Sequence, residues 1–265
     1  MNIVSVTHNA GFFSNCSVKL HEIIHFINRH KQFPLLVDSS KQFEWYKINK
    51  TDDITYDYFE HYDKTEPMQL PINIKIYFNF WTYQFVDYNK IIFNSVCPIV
   101  RKYFSPSKEI INIIKNIEDK YKINYENLCV LFYRGNDKNR ETKICGYNEY
   151  IDKANEILSK NPNIKFLIQS DETEFIELFC NLFSNNSFYF KDEIRHIKKC
   201  DSTVDKEMPD LNYIFSKFYL AITIIMSKCK YIVCGSGNCS LWIILYKENC
   251  NGVYQNLNGE WIVTQ

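Results

Sequence analysis

Three short apolar runs constrain this chain most. They are Leu128–Tyr133, Lys165–Gln169 and Tyr231–Cys234, and each leads through a polar or Gly/Ser loop into a helix-period pattern at Tyr147–Ser159, Thr173–Phe183 and Asn238–Lys247. A short strand, Ser187–Phe190, and a further helix, Leu211–Ser227, lie between the second and third runs. Runs with no in–out alternation are strands buried on both faces, and strands that alternate with helices form a parallel sheet. The chain starts in the same idiom. Asn2–Thr7 reads as a strand, His8–Asn15 as a loop containing Gly11, and Ser17–Arg29 as a helix. Leu20, Ile23, Ile24 and Ile27 share one face of that helix, with His21, His25 and Asn28 opposite. Pro34 ends it, and Leu35–Val37 is a second strand closing at Asp38-Ser39-Ser40. The spacing predicts an α/β protein of two Rossmann-like halves, with parallel sheets facing a central cleft.

Residues 41–105 carry no clean period. They are aromatic, with acidic residues at Asp52, Asp53, Asp57, Glu60 and Asp63 and prolines at Pro67 and Pro71, and they read as helices and loops that shape the cleft; Tyr56, Tyr58, Phe78, Phe80, Trp81 and Tyr83 can stack on sugars, the commoner alternative being core. Ser107 is placed to N-cap a helix over Lys108–Tyr121, whose apolar residues are Ile110, Ile111, Ile113, Ile114 and Ile117. The domain boundary is therefore expected near residue 105, giving domains 1–105 and 106–265.

Composition removes several classes. With 46% apolar and 23% charged residues, the chain is a folded protein and not a long disordered one. Lys+Arg 31 balances Asp+Glu 31, so no net field draws in nucleic acid or an anionic membrane. No run approaches the ~18 apolar residues of a membrane span. Met1–Val6 has neither a basic leader nor a cleavage site, so a signal peptide is not expected. The ten cysteines then read as cytoplasmic thiols. Cys229, Cys234 and Cys239 have no CxxC spacing, which argues against a zinc knuckle. Only three alanines occur (Ala10, Ala154, Ala221) among abundant Ile, Lys, Asn, Phe and Tyr. That bias reflects AT-rich codons and points to the genome of a bacterium, a protist or a large DNA virus.

Four segments carry candidate chemistry. His21-Glu22-Ile23-Ile24-His25 fits HExxH, the pattern of zinc hydrolases. It has about 20 residues ahead of it, and His30 lies five residues after His25 rather than six, so a solvated or cleft-facing helix is the preferred reading. The most informative segment is Tyr133-Arg134-Gly135-Asn136-Asp137-Lys138-Asn139-Arg140-Glu141, where an apolar strand runs into a burst of charge. Ligands of open α/β sheets bind at the carboxyl ends of strands. There Arg134 can grip a phosphate, Lys138 adds positive charge and Asp137 holds Arg134, the alternative being a solvated charged loop. In Ser170-Asp171-Glu172 the Asp171 side chain can bond a ribose, a base or Arg134, or N-cap the next helix. In Cys234-Gly235-Ser236-Gly237-Asn238 a strand turns into a helix N-terminus, where backbone N–H groups bind anions; the alternative is a tight turn. It matches neither GxGxxG nor the P-loop. The three strand-end loops together describe a nucleotide site.

Their order resembles the fucosyltransferase superfamily of α-1,6-, nodulation and protein O-fucosyltransferases. The Arg134 motif is the strongest match, Asp171 and the Ser236 turn follow in order, and Gly11-Phe12-Phe13-Ser14-Asn15 resembles the N-terminal Gly/Asn loop of those enzymes. The resemblance implies a GT-B glycosyltransferase, inverting and metal-independent, that moves fucose from GDP-fucose to a glycan hydroxyl. It implies a nucleotide-sugar donor and a glycan acceptor, no cofactor, and no nucleic-acid partner. Residues 1–105 would form the acceptor side and 106–265 the donor side. Arg134 and Lys138 would be catalytic; Glu141, from its place in the charged loop, is the candidate base, the alternative being a surface carboxylate. Asp137, Asp171, Ser236, Gly237, Asn238, Gly11 and Asn15 would bind the donor. Gly135 departs from the second arginine of the α-1,6 enzymes, which keeps another GDP- or UDP-sugar (rhamnose, xylose, mannose) and a non-catalytic nucleotide- or glycan-binding module as alternatives. The setting implied is cytoplasmic, the host's cytoplasm if the genome is viral.

Overall fold

The structure, a computed structural model, describes residues 2–65, 68–69 and 75–263. Pro67 and Pro71 lie outside the described residues, as does Met1. Strand β1 (Ile3–His8) is followed by helix α1 (Phe12–His30) and strand β2 (Leu36–Gln42), and β1 and β2 pair in parallel. This is the β-α-β start expected from the sequence, with one shift. The helix begins at Phe12 rather than Ser17, because Phe12 and Phe13 are buried and pull the first turn into the core. Leu20, Ile23, Ile24 and Ile27 face inward as their spacing requires. Each buried aliphatic side chain stabilises the packing by roughly 1.5–3 kcal/mol.

Short helices α2 (Thr55–Tyr58) and α3 (Phe80–Tyr83) cross the aromatic region, and α4 (Phe93–Tyr103) closes it. Helix α5 (Lys108–Tyr121) starts at the Ser107 cap, whose Oγ accepts from Ile110 N at 3.4 Å. Its buried stripe is Ile110, Ile114 and Ile117; Ile111 faces solvent.

The second sheet has the order β5-β4-β3-β6-β7-β8. It is built from β3 (Leu128–Tyr133), α6 (Tyr147–Lys160), β4 (Lys165–Ser170), α7 (Thr173–Leu182) and β5 (Ser187–Phe188). Then come α8 (Val204–Glu207), α9 (Asn212–Ser227), β6 (Tyr231–Gly235), α10 (Asn238–Lys247), β7 (Val253–Leu257) and β8 (Glu260–Val263). The strands are parallel except for the last pair, β7 with β8. That antiparallel hairpin is absent from the sequence-based expectation.

β3 explains its own sequence. All six residues are buried. Val130 and Phe132 join one apolar cluster, while Cys129, Leu131 and Tyr133 join another against α6 and α7. The first cluster is continuous from β1 and α1 through α4 and α5 to α9 and α10, so it crosses residue 105 without interruption. Cys16, Cys129, Cys234 and Cys239 are buried thiols within it or beside the sheet. No helix among the described residues is long and apolar enough to cross a membrane.

Candidate active site

Register fixes where the polar loops go. Tyr133 pairs with Ser170, and Phe132 pairs with Cys234, so β3, β4 and β6 end side by side. Arg134, Asp171 and Ser236 are thereby brought to one sheet edge. They line a cavity of about 450 Å³ together with Asp137, Lys138, Glu141, Gly237 and Asn238. Gly11, from the β1–α1 loop, lines it too.

Arg134 is held from three directions. Its Nε donates to Asp171 Oδ2 at 2.9 Å, Nη2 to Asp137 Oδ1 at 3.1 Å and Nη1 to Tyr219 OH at 3.3 Å. The second oxygen of Asp171 accepts from Gly135 N at 3.0 Å, so this carboxylate ties side chain and loop together. Asp171 thus takes the arginine-supporting role among those its sequence position allowed, and it does not cap α7. Burial works against the Arg134 cation, and Asp171, Tyr219 and Asp137 more than offset it, so its pKa stands well above the ordinary arginine value.

Lys138 is nearly buried and donates to Glu141 Oε2 at 2.5 Å. Its ammonium also lies over the Phe85 ring, 5.7 Å from the centroid. Gly237 stands against it: a Cβ there would come within 3.1 Å of Lys138 Cε. Ser236 Oγ donates to Asn256 O at 2.9 Å, fixing the turn, and Asn238 Oδ1 accepts from Ser17 Oγ at 2.9 Å.

Two helices open on this cavity. The N-cap of α1 is Gly11 and that of α10 is Gly237, and neither has a side-chain cap. Uncapped first turns present N–H groups and the positive end of the helix dipole, so both favour an anion between them.

Asn15 is the exception among the expected residues. It is fully buried away from the cavity, with Nδ2 on Ala10 O at 2.7 Å and Oδ1 accepting from Phe43 N at 3.4 Å. It shapes the Gly11 loop from behind rather than facing the cleft, because the early start of α1 turns it into the core. The departure at Gly135 also has a local cause. A Cβ there would lie 2.1 Å from Glu172 Oε1 and 2.5 Å from Tyr133 Cε1, so no larger residue fits.

Trp81, one of the aromatic residues able to stack on a sugar, lines the cavity, but sequence reasoning missed His8, Trp45, Arg195, Lys206 and Tyr219. They come from five separate segments, and no spacing links them. Arg195 is bound to Asp205 Oδ1 and Asn212 Oδ1, both at 2.9 Å, and lies over Phe215 at 5.0 Å. Gln169 Nε2 and Thr203 Oγ1 belong to lining residues and are buried with no hydrogen-bond partner.

His21 and His25 stand one turn apart on α1. Their rings stack at 6.3 Å, and His21 Nδ1 is bonded to Phe78 O at 2.9 Å. Among the described residues, no three His, Cys, Asp or Glu side chains gather as a metal site.

With this geometry in place, the comparison with solved structures is decisive for the fold. The NodZ α-1,6-fucosyltransferase soaked with GDP-fucose matches with a TM-score of 0.57, covering 98% of this chain and 97% of that one at 8% identity. This chain has the fold of that fucosyltransferase. NodZ co-crystallized with GDP gives 0.55 over 92% and 91% of the two chains, and fucosyltransferase NodZ from Bradyrhizobium gives 0.53 over 92% of each, both at 10% identity. No protein-family model matches the chain, and no curated protein sequence is significantly similar to it. The GT-B-like architecture expected from the resemblance is therefore the observed one, and it spans the fucosyltransferase fold almost end to end.

Proposed function

We propose that this protein is a glycosyltransferase that moves fucose from GDP-fucose to a glycan hydroxyl, with inversion and without a metal. The observation that carries the reading is Arg134, fixed by Asp171 and Asp137 where two uncapped helix N-termini open on one cavity. The fold is shared with a protein solved with GDP-fucose and with GDP, which supports that donor.

In this reading the bond between the sugar carbon and the phosphate oxygen breaks, and its electron pair leaves on the diphosphate. Arg134, already oriented, has two further N–H groups beyond its three bonds to protein. Lys138 and the first turns of α1 and α10 supply the other donors. Fixed donors of this kind are worth roughly 10²–10³ in rate each. The lining also carries Asp137, Glu141, Asp171, Glu193 and Asp205 against Arg134, Lys138, Arg195 and Lys206. Net charge therefore does not hold the diphosphate; directed N–H groups do. Glu141 serves here as the partner that sets Lys138 in place. Gln169 and Thr203, both lining the cavity, carry further unpaired polar atoms.

The test is a thermal-shift panel of GDP, UDP and their sugars, with and without EDTA, since a ligand of the native state raises the melting temperature. A GDP-selective shift that persists in EDTA is expected, and Arg134→Ala abolishes both the shift and sugar transfer while the protein stays folded. A UDP-selective shift, or full activity in Arg134→Ala, refutes the reading.

A further inference from the structure

The transferase reading leaves open which group receives the proton of the attacking hydroxyl. The lining of the same cavity contains a second candidate. β1 ends at His8, and the first turn of α1 presents Ser14; both line the cavity, and His8 Nε2 lies 2.9 Å from Ser14 Oγ. Phe13, next to Ser14, packs its ring on Tyr219 at 4.9 Å, and Tyr219 accepts from Arg134. The pair therefore borders the space in front of the guanidinium from the β1–α1 side.

Three observations favour this pair over Glu141. Glu141 is already engaged by the Lys138 ammonium on the wall that carries the cations. Burial holds His8 below the ordinary histidine range, so its ring is neutral near pH 7 with a lone pair to offer. The His8 ring also begins an aromatic series: it meets Phe80 at 6.1 Å, and Phe80 meets Trp81 at 4.5 Å. Trp81 lines the cavity yet is 70% exposed, leaving a wide indole surface at the mouth. An indole combines an apolar face with a polar edge, which suits the C–H face and hydroxyl rim of a sugar ring.

We propose that His8 and Ser14 are the proton-accepting pair of the transfer and that Trp81 is the platform on which the acceptor's ring lies. This rests on the transferase reading above. In the step, the acceptor oxygen bonds to the donor sugar carbon as the carbon–phosphate oxygen bond breaks. The electron pair of that bond leaves on GDP. The acceptor's proton passes by Ser14 Oγ, which hands its own proton to His8 Nε2, so the imidazolium holds the net proton. A positioned base of this kind contributes roughly 10²–10⁴ in rate.

The experiment measures GDP release from GDP-fucose in water and in a panel of glucose, galactose, N-acetylglucosamine, lactose and cellobiose. Saccharide binding to the GDP-loaded protein is read by tryptophan fluorescence. His8→Gln is expected to bind GDP as the wild type does and to lower kcat by roughly 10²–10⁴-fold with the KM for GDP-fucose unmoved. Trp81→Ala is expected to weaken saccharide quenching at least tenfold. The proposal is overturned if His8→Gln releases GDP at the wild-type rate, if no saccharide quenches the wild type, or if the quench survives in Trp81→Ala. Should His8→Gln fail to fold, Ser14→Ala decides, and a wild-type rate there overturns the pair. A wild type that binds no GDP overturns the transferase reading itself, an outcome distinct from all of these.

Discussion

Arg134 donates Nε–H to Asp171 Oδ2 at 2.9 Å, and the two residues sit one step beyond Tyr133 and Ser170, the last paired residues of neighbouring parallel strands. Sheet register, not loop conformation, sets this contact. The Asp171 side chain is almost wholly buried. Removing it leaves Arg134 with Asp137 as its single carboxylate and also releases Gly135 N. Asp171→Ala is expected to destabilise the protein by roughly 3 kcal/mol, the scale for breaking a buried pair. It should also lower transfer at least a hundredfold, the scale of a misaligned donor. Urea unfolding and GDP release measure the two effects. Stability and activity unchanged together would show that Arg134 is held without Asp171.

Gly135 illustrates a constraint that reads oppositely in sequence and in structure. In sequence it is a departure from the arginine of the α-1,6 enzymes. In the fold it is the residue that the Glu172 carboxyl allows. Glu172 is fully buried, with Tyr147 OH on Oε2 and no partner for Oε1, and burial raises its pKa above the usual carboxyl range. Gly135→Ala drives a methyl into that oxygen. The expected cost is about 1–3 kcal/mol, an overpacking penalty, seen as a melting temperature lower by several degrees. The double variant Gly135→Ala with Glu172→Ala should recover part of the loss and leave the part due to Tyr133 Cε1, 2.5 Å from the new methyl, and no recovery at all would place the strain elsewhere.

Much of this was legible beforehand for identifiable reasons. β3 and α10 were readable to the residue, since an unbroken apolar run admits only a buried strand and Ser236-Gly237-Asn238 only a strand-to-helix turn. Arg134, Asp137, Lys138 and Asp171 were readable because strand ends converge in a parallel sheet. Asn15 was not, because its side chain turns inward once α1 starts at Phe12. The β7–β8 hairpin left a signal that was not used: Asn258-Gly259, both at positive φ (54° and 85°), between two short apolar runs. His8 and Arg195 left none, since they meet only through tertiary packing across nearly 190 positions of chain.

Lys19 tests the electrostatics of the core. It lies on the buried side of α1, with Nζ donating to Thr55 Oγ1 at 3.3 Å. Burial brings its pKa from 10.5 down to about 8, against partial support from Asp53. Below pH 8 the folded protein carries a costly buried cation. Between pH 8 and 10.5 the unfolded chain binds more protons than the folded one, so this group's contribution rises with pH. Lys19→Met should therefore stabilise the protein near pH 7 by on the order of 3 kcal/mol. The advantage should shrink steadily towards pH 10. Urea melts of both proteins at pH 7 and pH 10 measure it, and an advantage that grows with pH would contradict the sign.

Ser17 joins the two helices whose first turns open on the cavity. Its Oγ donates to Asn238 Oδ1 at 2.9 Å and accepts from Trp242 Nε1 at 3.0 Å. Both Ser17 and Trp242 are fully buried. Ser17→Ala leaves the indole N–H unpaired inside the core, which costs about 1–3 kcal/mol. It also releases Asn238, the first residue of α10 after the Ser236-Gly237 turn. If the two first turns act together on one anion, Ser17→Ala should weaken GDP binding several-fold beyond what the stability loss explains. Calorimetric titration at a temperature where the variant is fully folded separates the two effects. Unchanged GDP affinity in the folded variant would mean that α10 holds its orientation without α1, and that the anion is bound by the sheet-end residues alone.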